Sequence, residues 1–553
     1  MKTIKLRKFS QDESHVLKGI AILLIVFHNI YRHIAPVADE NEFWFSPDGI
    51  KKFILILGAD PRELINVFFN FFGHYGVQAF IFISAYGITI SYLSKKPTYL
   101  SFIWQRLTKL YPAFFIAALV FVLFSIGISK TFPDKETVSN LAIQLSLFSA
   151  FVPGKAMAIS GPWWFYSFIF QFYLIFPLIL YFTKRWGQYF LGVIAIIGII
   201  INYTLYDYFS SLSLNPMQMV IGHLPEIAFG IWVAYKEETK LPVWVFPLAL
   251  LMLVGANTYK ILWPLGPVAS VIVLVLSIQW FVGTFTSKNI LYRFFEFLGI
   301  ISMYLFATHG FLRLPFIEMA NNLCSPYYSF IIVLLFIAFS LLIAYMIMKI
   351  DNTVHEYCKG FKITAFKKWI FPVIAFSTAF ALLLAFSAKA SMKSKKLQDI
   401  SIYQAFDKQL LDSCNSNGDT SGWIKDSTSN NKVFQMIQGQ SFSPGFGINL
   451  GKYKNNASVN IEFTAKTFEP IINNQFIYVI GVKHKKTGMN ILWNGQSFED
   501  FPRKPNIWNK LSFTKHIPQC YYNDDYEAYC YIWNNDGPAF MIDSISMEMK
   551  VLK

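Results

Sequence analysis

The sequence predicts a polytopic α-helical membrane protein, of about ten core spans plus one, followed by a C-terminal all-β sandwich. Three observations predict it. Aromatic residues make up 18% of the 553 residues and charged residues only 15%, against ~25% charged in ordinary soluble domains. A soluble chain of this length splits into domains with charged surfaces, and this one carries too little charge to cover them. That excludes a soluble cytosolic enzyme, a disordered chain and a nucleic-acid binder with a basic face. Apolar residues gather in runs near the ~20 that a spanning helix needs. Beyond residue 400 the pattern changes to short alternating runs.

The apolar runs lie near 16–34, 66–93, 110–129, 163–183, 188–206, 218–236, 242–258, 263–283, 297–316, 327–350 and 369–388. The stretch 139–152 is too short to span and is expected to lie at the interface or re-enter. The first run ends in polar His28 to His33 without a small-residue cleavage site, so it is expected to be a retained span, not a signal peptide. Net charge is +15, of which +12 falls in residues 1–390. With the N-terminus inside, inner segments hold twenty Lys and Arg and the outer loops seven, the bias that sets membrane orientation. The expected location is a bacterial inner (plasma) membrane, multi-pass, with a cytoplasmic N-terminus. Eleven spans then place the tail outside. The expected boundaries are a membrane domain at 1–365, an extra helix at 366–390, a charged linker at 391–399 and an extracytoplasmic β-domain at 400–553.

That tail holds alternating runs at Ala457–Ala465, Phe476–Lys483, Ile507–Thr514, Tyr526–Trp533 and Phe540–Met549, separated by Gly, Asn, Asp and Pro. Period-two alternation between turn residues predicts strands in a sandwich. Cys414, Cys520 and Cys530 lie in this exported part, where disulfides form. Three cysteines allow one bridge, and spacing does not choose it. No metal site is expected.

Ionisable groups inside spans are costly and mark function. Lys18 sits at the cytoplasmic edge of the first span, and His28 lies ~15 Å further along the axis. His28 and Arg32 are i,i+4 neighbours on one face, and His309 and Arg313 repeat the spacing in the ninth span. His223 and Glu226 open the sixth span, and His74 lies in the second. The expected topology puts all of them at outer-half depth, as one polar pocket. The plainer account is that the histidines bond at the interface, Arg32 and Arg313 snorkel to headgroups, and Lys18, Arg106 and Lys109 only set orientation.

Five segments, in order, resemble the membrane acyltransferase-3 family. Ser14–His28 (SHVLKGIAILLIVFH) is similar to its opening basic-residue-to-His signature. Gly73–Tyr92 (GHYGVQAFIFISAYGITISY), Arg106–Pro112 (RLTKLYP), Gly161–Pro177 (GPWWFYSFIFQFYLIFP) and Gly299–His309 (GIISMYLFATH) resemble later motifs. The match covers about residues 10–350. Departures are Lys18 for the usual Arg and one residue fewer before His28, Ala85 for a usual Gly, and Lys109 for the second Arg of its motif. The SGNH hydrolase-like extension known in the family is not recognisable in this tail.

The resemblance implies O-acylation, commonly O-acetylation, of an extracytoplasmic glycan or lipid-linked sugar, with cytosolic acyl-CoA (acetyl-CoA) as donor substrate and no permanently bound cofactor. His28, with His309 second, would be the base, since histidine titrates near neutrality. Arg32 or Arg313 would stabilise the developing oxyanion. Lys18, Arg106 and Lys109 would hold the CoA phosphates. His74, His223, Glu226, Trp163 and Gln171 are expected to bind acceptor. Two rivals are a lipid-linked-glycan transporter without covalent chemistry and a membrane-anchored glycan-binding protein. The tail loosely resembles a carbohydrate-binding module, which implies a jelly-roll sandwich. Trp493, between turn formers in Asn490–Gly495, is the expected sugar contact.

Overall fold

The computed structural model describes residues 3–360 except 130, 286 and 324. Beyond these it describes residues 403–410, 423–425, 432–436, 443, 446–453, 457–467, 476–486, 488, 490–497, 506–517, 521–534 and 540–552. The expected span at 369–388, the linker 391–399, Cys414 and Cys520 lie outside the described residues. The described residues group into two compact units, one from the stretches Met1–Ile34, Ala38–Ile317 and Phe330–Lys395, the other from Ala35–Val37, Glu318–Ser329 and Lys396–Lys553.

The helices are α1 (Gln11–Tyr31), α2 (Gly49–Ala59), α3 (Leu64–Phe72), α4 (Tyr75–Lys95), α5 (Tyr99–Ser129), α6 (Lys135–Leu145), α7 (Trp164–Trp186), α8 (Tyr189–Thr204), α9 (Tyr206–Ser211), α10 (Leu224–Tyr235), α11 (Val245–Thr258), α12 (Gly266–Thr284), α13 (Ile290–Leu312), α14 (Leu314–Leu323) and α15 (Pro326–Gly360). By length and composition α1, α4, α5, α7, α12, α13 and α15 can cross a membrane, and α8, α10 and α11 are shorter apolar helices. The protein is a multi-pass helical membrane protein. The expected single span at 66–93 is two helices, α3 and α4, broken at Gly73–His74. Segment 139–152 forms the end of α6 and a 3-10 turn at Ser149–Phe151, too short to span.

Helix α1 starts at a capping box. Ser10 Oγ accepts from the Glu13 amide at 3.2 Å, and the Glu13 carboxylate accepts from the Ser10 amide at 2.8 Å. Arg7 forks onto the same carboxylate at 2.8 and 2.5 Å. It ends β1 (Thr3–Arg7), which pairs antiparallel with β2 (Glu238–Pro242).

Glycines set how closely α1 packs. A methyl group on Gly19 would lie 1.8 Å from the Phe295 carbonyl oxygen, and one on Gly299 would lie 1.9 Å from the His15 carbonyl oxygen. So α1 and α13 meet backbone to backbone. On another side of α1, a methyl on Gly73 would lie 2.8 Å from His28 Cβ, and one on Gly76 would lie 2.5 Å from the Ala21 carbonyl oxygen. Small residues at such seams are how membrane helices associate without a hydrophobic drive. The break at Gly73 lets the α3–α4 junction press against His28.

In the second unit the strands are β3 (Tyr403–Leu410), β4 (Trp423–Lys425), β5 (Lys432–Met436), β6 (Phe446–Asn449), β7 (Ala457–Thr467), β8 (Phe476–His484), β9 (Asn490–Ser497), β10 (Asn509–Ile517), β11 (Tyr526–Asn534) and β12 (Phe540–Leu552). One sheet runs β10-β7-β12-β5-β4, with β3 also on β12, and the other runs β6-β11-β8-β9. All pairings are antiparallel. Ala465, Phe540 and Ile542 of the first sheet share a core with Tyr478, Ile480 and Ile532 of the second.

Candidate active site

The membrane unit gathers a polar group from four places. Helix α1 supplies His28, Asn29 and Arg32, the α3–α4 junction supplies Asn70 and His74, α13 supplies His309 and Arg313, and the loop after α1 supplies Glu40 and Glu42. His28, His74 and His309 are 1% exposed or less, and Glu40 and Glu42 are buried.

His28 Nδ1 lies 2.9 Å from the Asn70 carbonyl oxygen and 3.3 Å from that of Phe69. A carbonyl only accepts, so Nδ1 carries a proton. Nε2 makes no hydrogen bond and faces Glu42 Oε2 at 3.5 Å. His309 is set the same way. Its Nδ1 lies 3.0 Å from the Leu305 carbonyl oxygen one turn back, and its Nε2 has no hydrogen bond. His74 stands with its ring centre 5.5 Å from that of His28. His309 is within electrostatic reach of both Arg313 and His28.

The two arginines differ. Arg32 pairs with Glu40 at 2.9 Å and with Glu42 at 3.6 Å. Burial would raise the Glu40 carboxyl, but the Arg32 cation outweighs it and holds Glu40 below its ordinary value. The snorkelling account of Arg32 is thereby corrected, because the side chain turns to two buried carboxylates. Arg313 Nη1 donates to the Asn29 carbonyl at 2.7 Å and to Asn29 Oδ1 at 3.1 Å. Among the described residues it has no carboxylate partner, and its Nε makes no hydrogen bond.

The loop that carries the carboxylates is tied down. Asn70 Oδ1 accepts from the Ala38 amide at 3.0 Å, Asn41 Oδ1 from the Ser46 amide at 2.7 Å, and the Asn41 carbonyl from Trp263 Nε1 at 2.8 Å. Asn41 also donates to Asn257 at 3.2 Å. Sequence reasoning missed Glu40 and Glu42. The available signal was an acidic run, Asp39-Glu40-Asn41-Glu42, within ten residues of Arg32 in an acid-poor chain. Ligand atoms of His28, Glu40 and Glu42 lie within 4.8 Å of one another, a donor set suited to a metal ion. The Arg32 guanidinium already supplies positive charge there.

Other expected residues lie elsewhere. His223 Nδ1 faces Glu226 Oε1 at 3.0 Å and its Nε2 faces the Met217 carbonyl at 2.8 Å, so this pair bonds within itself and not to the His28 group. Trp163 is fully buried and donates from Nε1 to the Ala307 carbonyl at 2.7 Å, tying the start of α7 to α13. Gln171 Oε1 accepts from the Val220 amide at 3.2 Å. Lys18, from α1, lies within electrostatic reach of Lys109 and Arg106 from α5. None of the three has an ion pair among the described residues, and Arg106 Nε is buried without a hydrogen bond.

In the second unit Trp493 is 46% exposed. Its Nε1 donates to Tyr531 Oη at 3.1 Å, and its ring lies 6.3 Å from that of Trp533. Tyr529 and Tyr531 are parallel within 5°. A methyl on Gly481 would strike Tyr529, and one on Gly495 would strike Trp493. Tyr529 therefore covers Gly481 of β8, and Trp493 covers Gly495 of its own strand β9.

No curated protein matches the sequence. A solved structure similar to the chain is the arabinosyltransferase EmbB from Mycobacterium smegmatis, with 10% identity and a TM-score of 0.16, over 99% of this chain. The chain spans 64% of the length of that protein, and a likeness so low carries no argument. A family model described as an acyltransferase domain matches residues 12–349, more than half of the chain and the stretch that contains every residue of the His28 group. The chain belongs to the acyltransferase-3 family.

Proposed function

We propose that the protein transfers an acyl group, acetyl in the first instance, from cytosolic acyl-CoA to a hydroxyl of an extracytoplasmic or lipid-linked glycan at a bacterial inner membrane. The observation that carries this is the setting of His28, whose Nδ1–H is held by the Asn70 carbonyl while its Nε2, without a hydrogen bond, faces Glu42 inside the buried polar group. A sugar hydroxyl needs such a base at neutral pH. His28 Nε2 takes the hydroxyl proton as the oxygen attacks the thioester carbonyl. Negative charge develops on the carbonyl oxygen, where the unneutralised Arg313 stabilises it. The C–S bond then breaks and the proton passes to the leaving sulfur, which gives ester and free thiol. Arg32 is paired to carboxylates and holds the loop instead. Lys18, Arg106 and Lys109 form a cation cluster that suits the CoA phosphates.

The second unit is, on this reading, a jelly-roll β-sandwich that binds the acceptor chain. Its flat rings at Trp493, Tyr531 and Tyr529 suit stacking on pyranose faces. The test is to incubate membranes with labelled acetyl-CoA and recover surface glycan. Label that needs His28 supports the transfer. Glycan that stays unlabelled while the protein is abundant and inserted would overturn it.

A further inference from the structure

Two buried donors stand unused where the start of α7 meets α13. Ser160 is the N-cap of the 3-10 turn Gly161–Trp163, which runs on into α7 as one apolar span, Gly161–Trp186. A serine in that position ordinarily turns its oxygen onto the first amides of the helix. Ser160 makes no such bond. It is 4% exposed, and its Oγ has no hydrogen-bond partner among the described residues. Arg313 brings the second donor. Its Nη1 is taken by Asn29, while its buried Nε makes no hydrogen bond.

Both donors lie against one patch of α13. A methyl on Gly310 would lie 2.3 Å from Ser160 Oγ, and a methyl on Gly161 would lie 3.6 Å from Arg313 Nη2. Gly310 and Arg313 are i,i+3 neighbours on one helix face, and Ser160 and Gly161 are adjacent in sequence. Trp163 fixes the seam. Its Nε1 donates to the Ala307 carbonyl at 2.7 Å, and its ring meets that of Phe311 edge-on at 6.1 Å. A cation, a hydroxyl and the positive end of a long helix thus converge. Buried donors without acceptors are costly, and a helix start furnished with them suits an anion.

We infer that Ser160 and Arg313 form an anion site at the start of α7, and that Ser160 donates, beside Arg313, to the thioester carbonyl oxygen as acyl transfer makes it an oxyanion. The attacking hydroxyl oxygen bonds to the carbonyl carbon, and the π pair moves onto the carbonyl oxygen. The two donors hold that charge until the pair returns and the C–S bond breaks. The hydroxyl proton ends on the leaving sulfur. The oxyanion role deepens the transfer reading and rests on it, whereas the anion site does not.

The test uses the full chain in detergent and reads equilibrium binding first. Saturation-transfer NMR compares acetate with acetamide, a neutral counterpart of the same shape. Acetate should bind the wild type more tightly than acetamide. Ser160→Ala should weaken acetate about tenfold, the loss of one hydrogen bond to a charged acceptor. Because Ser160→Ala breaks no bond within the fold, its thermal transition should not fall. An earlier transition would mean that the hydroxyl serves the fold, and would overturn the site. Equal binding of acetate and acetamide to the wild type would also overturn it, as would acetate binding that is unchanged in Ser160→Ala. Transfer is read separately, where Ser160→Ala should lower kcat about 10²-fold and leave both KM values in place. A wild-type kcat in that variant would overturn the oxyanion role and leave the transfer reaction standing. An acetate site in a protein that never labels glycan would overturn the transfer reaction and leave the anion site standing.

Discussion

Helices α1 and α13 end in the same pattern, His-x-x-x-Arg, and both histidines are held in the same tautomer by a backbone carbonyl. Their arginines have opposite surroundings. Arg32 meets two carboxylates from a loop pinned by Asn70 and Trp263. Among the described residues Arg313 meets only the backbone and side-chain carbonyl groups of Asn29. Equal spacing in sequence thus gives two cations in different surroundings: one is neutralised by carboxylates, and the other, in the proposed transfer, is the one available to a developing negative charge. The difference comes from what the rest of the chain brings, not from the helices themselves.

Four experiments break or sharpen that comparison. His28→Ala should lower the transfer rate by about 10³-fold in a protein that inserts normally, the loss of a general base, while His309→Ala should cost about tenfold, one hydrogen bond. Equal losses at the two positions would erase the distinction between them. Arg313→Met should lower kcat by about 10²-fold with little change in melting temperature. Arg32→Met should do the reverse in emphasis. It leaves Glu40 and Glu42 buried without their cation, at a stability cost of roughly 3 kcal/mol, measurable as an earlier thermal transition of the purified protein. At the proposed donor site, Arg106→Glu should raise the KM for acyl-CoA about tenfold and leave the acceptor KM in place. Lys109→Arg, the smallest change, should keep donor KM within about twofold because charge and reach are retained.

Much of the helical framework was legible because each core run of apolar residues became an apolar helix. The break in the second expected span was not. The dip in hydropathy at Gly73-His74-Tyr75-Gly76 is too short to divide a span-length window, and the need for glycine there lies in contact, since any larger residue at 73 would collide with His28 Cβ. His28, Arg32, His74, His309 and Arg313 were visible as ionisable groups in apolar surroundings. Glu40 and Glu42 were not, because orientation is read from Lys and Arg in loops and acids contribute little to it. Their meaning appears only when the loop folds back over α1. His223, Glu226, Trp163 and Gln171 were chosen for polarity near helix ends, but each bonds to a neighbour outside the His28 group, and only Glu226 Oε2 among their polar atoms is buried without a hydrogen bond. A spacing argument cannot tell a polar group that is waiting for a ligand from one that is already satisfied. That takes a count of donors and acceptors in three dimensions.

The glycine seams around α1 bear on how the protein can move. A transporter that opens to each side in turn has to slide or rock helices past one another. With the backbone of α1 in direct contact with α13 at Gly19 and Gly299, and with the start of α4 at Gly73 and Gly76, there is no side-chain layer to deform along either seam. The helices that carry His28, His74 and His309 are thus packed backbone to backbone, which favours motion elsewhere over sliding along these seams. In the proposed transfer, donor and acceptor would then have to reach a stationary His28 from opposite membrane faces. The long, extended shape of the proposed acyl-CoA donor is suited to that task.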